Sequence, residues 1–138
     1  MKVAVAVIFD HEQRVLITRR PLHAPHGGMW EFPGGKLEAE ELPSEALVRE
    51  IKEEVGIEVI DYSFLDEITH HYGDKKVSLL IFCIYKHEGT AVCCESQLDL
   101  RWVNVDKLND YEFPEANSQI ISLIKKHCSN IIAPLLSS

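Results

Sequence analysis

The chain has 138 residues, a formal net charge of −8 and 46% hydrophobic residues. This length and composition are typical of one globular domain over residues 1–138, which buries roughly 68% of its unfolded surface without needing a disulfide. The acidic balance argues against a nucleic acid polymer or an anionic membrane as main partner, since both select basic surfaces. It leaves room for a small anionic substrate that arrives with a divalent cation.

The cysteines and the N-terminal residues bear on the cellular compartment. Cys83, Cys93, Cys94 and Cys128 show no zinc-binding spacing. The first nine residues include one lysine and no small-residue cleavage site. No apolar stretch reaches the ~18 residues of a membrane span. We therefore expect a cytoplasmic protein with reduced thiols. We also expect the protein to act as a monomer or weak dimer.

The first part of the chain predicts strands and loops. A polar turn between two apolar, β-branched segments predicts a hairpin over residues 3–18. Residues 21–30 are rich in Pro, Gly and His and predict a loop. Trp30 to Pro33 is expected to be a short extended piece, since the residue before a proline avoids the helical region. Gly34-Gly35 is expected to break regular structure after it.

Pro43 and Gly56 delimit the clearest predicted helix. Proline suits the first turn and glycine the position just past the end, and the residues between them show a helical apolar stripe. Strands are then expected at residues 57–60, 64–69, 77–85 and 100–105, followed by an amphipathic helix at about 115–127. This order of elements predicts an α+β domain with a mixed β-sheet layered between helices.

Three glutamates fall on one face of the predicted helix. At about 3.6 residues per turn, Glu50, Glu53 and Glu54 lie within about a 100° arc. Like charges at this spacing repel, so the cluster favours a bound cation, and carboxylate oxygens suit Mg²⁺ or Mn²⁺. Arg49, four residues before Glu53, can orient that carboxylate by a charge-assisted hydrogen bond. A solvated acidic helix face is the ordinary alternative for a glutamate-rich helix.

The whole segment resembles the Nudix box, in which glycine, glutamate, Arg-Glu, Glu-Glu and a final glycine stand at fixed distances. The defined positions are filled by Gly35, Glu41, Arg49, Glu50, Ile51, Glu53, Glu54, Gly56 and Ile57. Seven fixed matches arise by chance with a probability on the order of 10⁻⁸ per start position. A merely solvated helix face does not account for such a match.

Resemblance to the Nudix hydrolase family implies a Nudix αβα sandwich with a loop-helix-loop metal site. It implies metal ligands at Gly34, through its carbonyl, and at Glu50, Glu53 and Glu54. Arg49 would orient these glutamates, and Glu41 would have a structural or outer-shell role. The reaction implied is metal-assisted attack of water on a nucleoside triphosphate, which gives the monophosphate and pyrophosphate.

Residues 17–20, 31–36 and 113–117 resemble the MutT-type pyrophosphatases of this family, which remove 8-oxo-dGTP from the nucleotide pool. The resemblance implies substrate contacts at Arg20, Phe32, Lys36, Tyr72 and Asn117. It also aligns Glu95 with a glutamate outside the box that approaches the metal, as a ligand or as the general base. An exposed loop carboxylate is the alternative for Glu95.

Asn117 is the predicted base-reading residue. Its amide can accept from the N7–H of oxidised guanine and donate to O6, whereas ordinary guanine opposes acceptor to acceptor. Capping of the last helix is the alternative for Asn117. For Arg20 the alternative is a surface arginine that ends a strand, and for Phe32 it is ordinary core packing.

Two other functions stay open. Residues 27–32 also resemble relatives that act on CTP and modified pyrimidine nucleotides such as 5-methyl-dCTP. A non-catalytic Nudix module that only binds a ligand is the second possibility, but such modules are expected to lose box glutamates. One local departure from the pattern is Leu42, which precedes Pro43 where relatives often have a Ser or Thr helix cap.

Overall fold

Two β-sheets lie between two helices in the computed structural model, which describes the backbone of residues 1–136 and the side chains of residues 1–128. In chain order the elements are β1 Lys2–Ile8, β2 Arg14–Arg19, β3 Trp30–Glu31, β4 Gly34–Lys36, α1 Pro43–Val55, β5 Glu58–Tyr72, β6 Lys75–Glu88, β7 Asp99–Asn104 and α2 Asn117–Leu136. A short 3₁₀ helix, Val105–Asp110, follows β7. Neither helix, over the residues that the structure describes, combines the length and the apolar character of a membrane span.

The larger sheet is mixed, as the sequence predicts. Its strand order is β4-β1-β6-β5, with β1 and β6 parallel and the other pairs antiparallel. A smaller antiparallel sheet has the order β3-β2-β7. The prediction of an α+β fold is confirmed, and the second sheet adds a feature that the sequence reading did not distinguish.

Alternate residues of β1 show how the layers are built. Ala4, Ala6 and Ile8 pack in the hydrophobic cluster that includes the buried face of α1. Val5 and Val7 pack in the opposite cluster, which includes the buried isoleucines of α2. Because side chains on a strand alternate between faces, the larger sheet is covered on both sides. The result is the predicted αβα layering.

The predicted hairpin over residues 3–18 is wrong. β1 pairs with β4 and β6, whereas β2 pairs with β3 and β7, and one bridge between Phe9 and Val15 joins the two. Both strands are apolar on both faces, so each belongs in the interior of a sheet and takes a partner on either side. The turn at residues 10–14 therefore connects β1 in the larger sheet to β2 in the smaller sheet.

Two further boundaries differ from prediction. Gly34-Gly35 does not break regular structure but forms β4, which pairs with β1. A β-carbon at Gly34 would lie 2.1 Å from the Ala4 carbonyl oxygen, so glycine permits this close pairing. The two strands predicted at 57–60 and 64–69 are one strand, β5, with irregular pairing between Val59 and Asp66.

Candidate functional site

Helix α1 is the frame of the candidate site, and its ends are fixed as the sequence predicts. At its start the carboxylate of Glu45 accepts a hydrogen bond from the Leu42 backbone N–H at 2.8 Å. At its end Gly56 adopts a left-handed conformation with φ 73°, and its N–H donates to the Lys52 carbonyl at 3.1 Å. The inner face buries Ala46, Leu47, Ile51 and Val55. Burial of this face fixes which residues point towards β4 and the loops beyond.

Arg49 lies at the centre of the acidic residues. Its guanidinium makes two hydrogen bonds to Glu41, from Nε at 2.9 Å and from Nη2 at 3.0 Å. Nη1 donates to Glu50 at 2.8 Å and to Glu53 at 3.3 Å, and Nη2 also reaches the Lys36 carbonyl at 3.2 Å. The predicted orienting contact from Arg49 to Glu53 is therefore present in the structure.

These contacts shift the acidity of the partners. Hydrogen bonds from Arg49 lower the pKa of Glu41 to about 2. The same hydrogen bonds, which Arg49 donates to the Glu41 carboxylate, raise the pKa of Arg49 above its ordinary value. Both groups stay ionised at neutral pH. The two-hydrogen-bond ion pair between Arg49 and Glu41 therefore holds the guanidinium in place beside the other glutamates.

Glu50, Glu53 and Glu95 form a carboxylate cluster that fits a divalent cation. One oxygen from each lies within 4.8 Å of the others. Burial raises the pKa of Glu50, despite its hydrogen bond from Arg49. A β-carbon at Gly35 would lie 2.3 Å from the Glu50 carboxyl carbon, so this position of Glu50 requires a glycine opposite. Three hard oxygen donors close together are the set that Mg²⁺ and Mn²⁺ prefer.

Glu54 lies beside this cluster but outside it. Its Oε2 accepts a hydrogen bond from the Gly34 backbone N–H at 2.8 Å. Burial, followed by the charges of nearby Glu31, Glu50 and Glu95, raises the pKa of Glu54 to about 8. Metal binding by Glu54 and by the Gly34 carbonyl stays a prediction, and the close contact between the two residues places both at the edge of the cluster.

Glu95 reaches the cluster from a loop, and Gln97 holds that loop in place. The Gln97 amide oxygen accepts from the Glu95 N–H at 2.8 Å, while its Nε2 donates to the Glu54 carbonyl at 2.9 Å. Sequence reasoning did not assign Gln97 a role. Its only signal was an amide two residues after a predicted ligand, a position from which a side chain can bridge to neighbouring backbone groups.

The Arg20 guanidinium contacts two other residues of the chain. Its Nε donates to the Pro25 carbonyl at 2.6 Å, and its Nη1 forms an ion pair with Glu31. Sequence reasoning missed Glu31, because the pair depends on the register of β2 against β3, where Thr18 lies opposite Glu31. Arg20 thus fastens the loop that follows β2, and its substrate contact stays a prediction.

Phe32 and Asn117 stand on two segments that an aromatic stack joins. The rings of Phe32 and Phe113 are 5.2 Å apart and nearly parallel. Phe32 is buried, and Asn117 is the first residue of α2, half-buried, with Nδ2 at 3.5 Å from the Pro114 carbonyl. A contact this long leaves the Asn117 amide available for a better partner. Base recognition by Asn117 stays a prediction.

Lys36 and Tyr72 lie differently with respect to the cluster. The Lys36 side chain is exposed on β4, next to the glycine that faces Glu50. Tyr72 is 47% exposed and packs edge-on against His70 at the turn between β5 and β6. The loop that carries Glu95 leaves β6 at the opposite end of this hairpin. The structure therefore does not bring Tyr72 together with the carboxylates.

Comparisons with known proteins agree with this geometry. A family model described as NUDIX domain matches residues 4–123, and the chain belongs to this family. The 8-oxo-dGTP diphosphatase of Escherichia coli (strain K12) is 33% identical over 126 residues, which cover 91% of this chain and 97% of that protein. The CTP pyrophosphohydrolase of the same organism is 29% identical over 117 residues, which cover 85% and 86%.

A solved structure gives the same result for the fold. It comes from a study of MutT from Aliivibrio salmonicida and Vibrio cholerae. Its TM-score is 0.78 at 33% identity, over 90% of this chain and 97% of that one. The chain is therefore a Nudix hydrolase, an enzyme that uses a divalent metal and acts on a small nucleotide substrate.

Proposed function

We propose that this chain hydrolyses 8-oxo-dGTP to 8-oxo-dGMP and pyrophosphate in a Mg²⁺-dependent reaction, and so removes an oxidised nucleotide from the pool. The observation that carries the proposal is the cluster of Glu50, Glu53 and Glu95, whose oxygens lie within 4.8 Å of one another beside Arg49. The 8-oxo-dGTP diphosphatase with which the chain aligns along almost its whole length supports this choice of substrate.

The donor set suits Mg²⁺, with Mn²⁺ as a substitute, because every candidate ligand is a hard oxygen. Glu50, Glu53 and Glu95 would hold the cation, and Glu54 and the Gly34 carbonyl are the further predicted ligands. When bound, the cation neutralises phosphate oxygens and makes an attacking water more acidic. The bound cation would also offset the excess negative charge of the three carboxylates.

Positioning of the carboxylates and transfer of the proton would depend on other side chains of the protein. Arg49 holds Glu50 and Glu53 at fixed angles through hydrogen bonds of 2.8 and 3.3 Å. Gln97 fixes the backbone of Glu95, an exposed glutamate whose alternative role, in place of holding the cation, is to accept the proton of the attacking water as general base. Glu53, also exposed, is the second candidate for that proton.

Selection of the base would rest on the segment that opens α2. Asn117 can accept from the N7–H of 8-oxoguanine and donate to its O6, a pairing that guanine does not offer. Phe32, stacked on Phe113 at 5.2 Å, would form an apolar wall on which a base packs. Arg20 stands at the end of β2, where it would contact the nucleotide directly or through the loop that it fastens.

A pyrimidine nucleotide is the second candidate substrate. The CTP pyrophosphohydrolase relative is only slightly less similar than the 8-oxo-dGTP diphosphatase of the same organism. Residues 27–32 carry the sequence resemblance to enzymes that act on CTP or 5-methyl-dCTP. A non-catalytic Nudix module is disfavoured, because all the box glutamates are present.

Turnover of a nucleotide panel tests the proposal. Pyrophosphate release with Mg²⁺ should be measured for 8-oxo-dGTP, dGTP, CTP, dCTP and 5-methyl-dCTP, and ranked by kcat/KM. We expect 8-oxo-dGTP to lead by at least about 10²-fold, since a mismatched buried hydrogen-bonding group gives strong discrimination. If a cytidine nucleotide leads, the assignment of the base is wrong and the second candidate replaces it.

Replacement of Asn117 tests base recognition separately. Asn117→Ala should raise KM for 8-oxo-dGTP by about tenfold or more, through the loss of paired hydrogen bonds, and should change KM for dGTP little. Gln119→Ala, which removes an exposed amide two residues further along α2, is the matched control and should leave both values unchanged. An equal effect of Asn117→Ala on both nucleotides would reject the role.

We also propose that the protein works in the cytoplasm as a monomer or weak dimer, without a nucleic acid polymer or a membrane as partner. The net charge of −8 supports the absence of a polyanionic partner. Light scattering during size-exclusion chromatography, with and without Mg²⁺, would measure the oligomeric state.

A further inference from the structure

Two segments of the chain lie side by side between the carboxylate cluster and the start of α2. The Trp30 ring meets the Tyr111 ring edge-on, at 5.2 Å between centroids, and the Trp30 backbone N–H donates to the Glu112 carbonyl at 2.8 Å. Two residues further along each segment, Phe32 stacks on Phe113, also at 5.2 Å. These contacts fix the register of one segment against the other, and together we call them the aromatic junction.

The aromatic junction connects the carboxylate end of the site to the end proposed for the base. Gly35, which lies against the carboxylate cluster, follows Phe32 by three residues, a length of chain that spans at most about 11 Å. Asn117 follows Phe113 by four residues, through a turn in which its own N–H donates to the Pro114 carbonyl at 2.9 Å. The register of the junction therefore sets where the Asn117 amide lies relative to the carboxylates.

Arg101 covers the aromatic junction from the solvent side. Its guanidinium carbon lies 5.2 Å from the centroid of the Trp30 ring and 5.8 Å from that of the Tyr111 ring, within the range of a cation–π contact. Arg101 belongs to β7 and reaches across β2, because Trp30 is on β3 at the other edge of the smaller sheet. One cation therefore contacts both rings of the edge-on pair.

Asp99 holds the Arg101 guanidinium in this position. The Oδ2 atom of Asp99 accepts a hydrogen bond from Nε of Arg101 at 3.1 Å and also lies 3.1 Å from Nη2. The two residues are two positions apart on β7, so their side chains lie on the same face of the sheet. The Arg101 side chain is 53% exposed, yet one carboxylate and two aromatic rings restrain it.

We propose that Arg101 is a positioning residue for base selection, which fixes Trp30 against Tyr111 and so holds Asn117 where the oxidised base requires it. The inference rests on the proposed function, in which Asn117 makes the hydrogen bonds to the base. Arg101 itself makes no contact with the substrate. Because a pair of hydrogen bonds is sensitive to displacement, a loosened junction should weaken the binding of 8-oxo-dGTP. Binding of dGTP, which does not form that pair, should change little.

Arg101→Ala tests this role in the whole chain, since an exposed side chain can be removed without opening the core. We expect KM for 8-oxo-dGTP to rise by about 5- to 10-fold, while kcat and the KM for dGTP change by less than about twofold. Mn²⁺ affinity, measured by paramagnetic resonance without substrate, should stay the same because the carboxylates keep their positions. A loss of stability alone would reduce turnover of both nucleotides equally, so an equal loss would overturn the inference.

Three further variants make the test specific. Arg101→Lys keeps a positive charge over the rings and should recover part of the selectivity, whereas Arg101→Met keeps an apolar chain without charge and should behave as Arg101→Ala does. Arg14→Ala is the matched control, because Arg14 also pairs with an aspartate, Asp10, at 2.8 Å, but lies opposite Asn104 at the far end of β7. Full selectivity in Arg101→Met, or an equal loss in Arg14→Ala, would overturn the inference.

Amide hydrogen exchange measures the aromatic junction without any substrate. The Trp30 N–H is bonded to the Glu112 carbonyl, so its exchange in Arg101→Ala should become about 5- to 10-fold faster. The amide of Ile51, buried in α1, is the internal reference and should exchange as before. If a cytidine nucleotide leads the panel, or none is hydrolysed, the proposed function fails, and exchange at Trp30 still decides whether Arg101 fixes the junction. Unchanged exchange at Trp30 would overturn the inference whatever the substrate.

Discussion

Arg49 sets the geometry of the carboxylates. One edge of its guanidinium is occupied by Glu41, at 2.9 and 3.0 Å, and the remaining nitrogen reaches Glu50 and Glu53. The planar guanidinium of an arginine can donate to Glu41 and to the other two glutamates at once, whereas a lysine has a single charged nitrogen. Glu41 therefore has a mechanical role, because it fixes the angle at which Arg49 presents itself to the other two glutamates.

We expect the stabilisation that Glu41 provides to disappear in acid. Hydrogen bonds from Arg49 lower its pKa from 4.5 to about 2 in the folded protein. A lowered pKa contributes stability above the unfolded value, and this contribution is lost as the pH falls towards the folded value. The difference in unfolding free energy between the unaltered protein and Glu41→Gln should therefore shrink between pH 4.5 and about 2. Urea denaturation measures it, and a constant difference across that window would contradict the assignment.

Glu53→Gln should separate the chemistry from the fold. Glu53 is exposed on α1, so the amide fits without new strain, but one predicted anionic metal ligand is removed. We expect turnover to fall by ~10²-fold while the unfolding free energy changes little. Glu58→Gln, another exposed glutamate beyond the end of this helix, is the matched control. Near-normal turnover of Glu53→Gln would refute the assigned role.

Helix α1 is the element that the sequence defined best. Pro43 and Gly56 predict its limits, and the structure has the helix from Pro43 to Val55. The helical period also predicts the carboxylate face, but it does not separate Glu54 from Glu53. That separation comes from the hydrogen bond between Glu54 and the Gly34 N–H, a contact across 20 residues. A local pattern carries no information about such a partner.

The start of α1 leaves room for a stabilising substitution. Leu42 occupies the N-cap position with an extended backbone, makes no side-chain cap and is 62% exposed. Leu42→Ser should add a cap and raise the unfolding free energy by about 1 kcal/mol. Leu22→Ser, which also replaces an exposed leucine but lies in a loop, controls for the loss of apolar surface. Equal changes in urea denaturation for both variants would exclude capping as the cause.

The strands show where sequence patterns are insufficient. β1 and β2 are short, apolar and separated by a polar turn, so they have the pattern of a hairpin, yet they lie in different sheets. Burial on both faces removes the alternation that would specify register, and pairing is then decided by distant strands. The ion pair of Arg20 with Glu31 is hidden for the same reason, since it depends on the pairing of β2 with β3.

Charge links the site to the stability of the molecule as a whole. The chain carries a net charge of −8, and three of its carboxylates approach to within 4.8 Å of one another. Their mutual repulsion opposes folding, and Arg49 compensates only part of it. The same repulsion is removed when a cation binds, so affinity for the cation and resistance to unfolding should rise together.

We therefore expect Mg²⁺ to raise the melting temperature. At a concentration about 100 times its Kd, a ligand that binds only the folded state adds about 2.7 kcal/mol, which corresponds to roughly 10 °C for a chain of this size. Scanning calorimetry with EDTA, with Mg²⁺ and with NaCl at matched ionic strength separates binding from general screening. Glu53→Gln should lose most of the Mg²⁺-dependent shift while it keeps the melting temperature seen in EDTA, or exceeds it, because one repelling charge has gone. An identical shift with NaCl, or a full shift in Glu53→Gln, would show that the cation does not bind at this cluster.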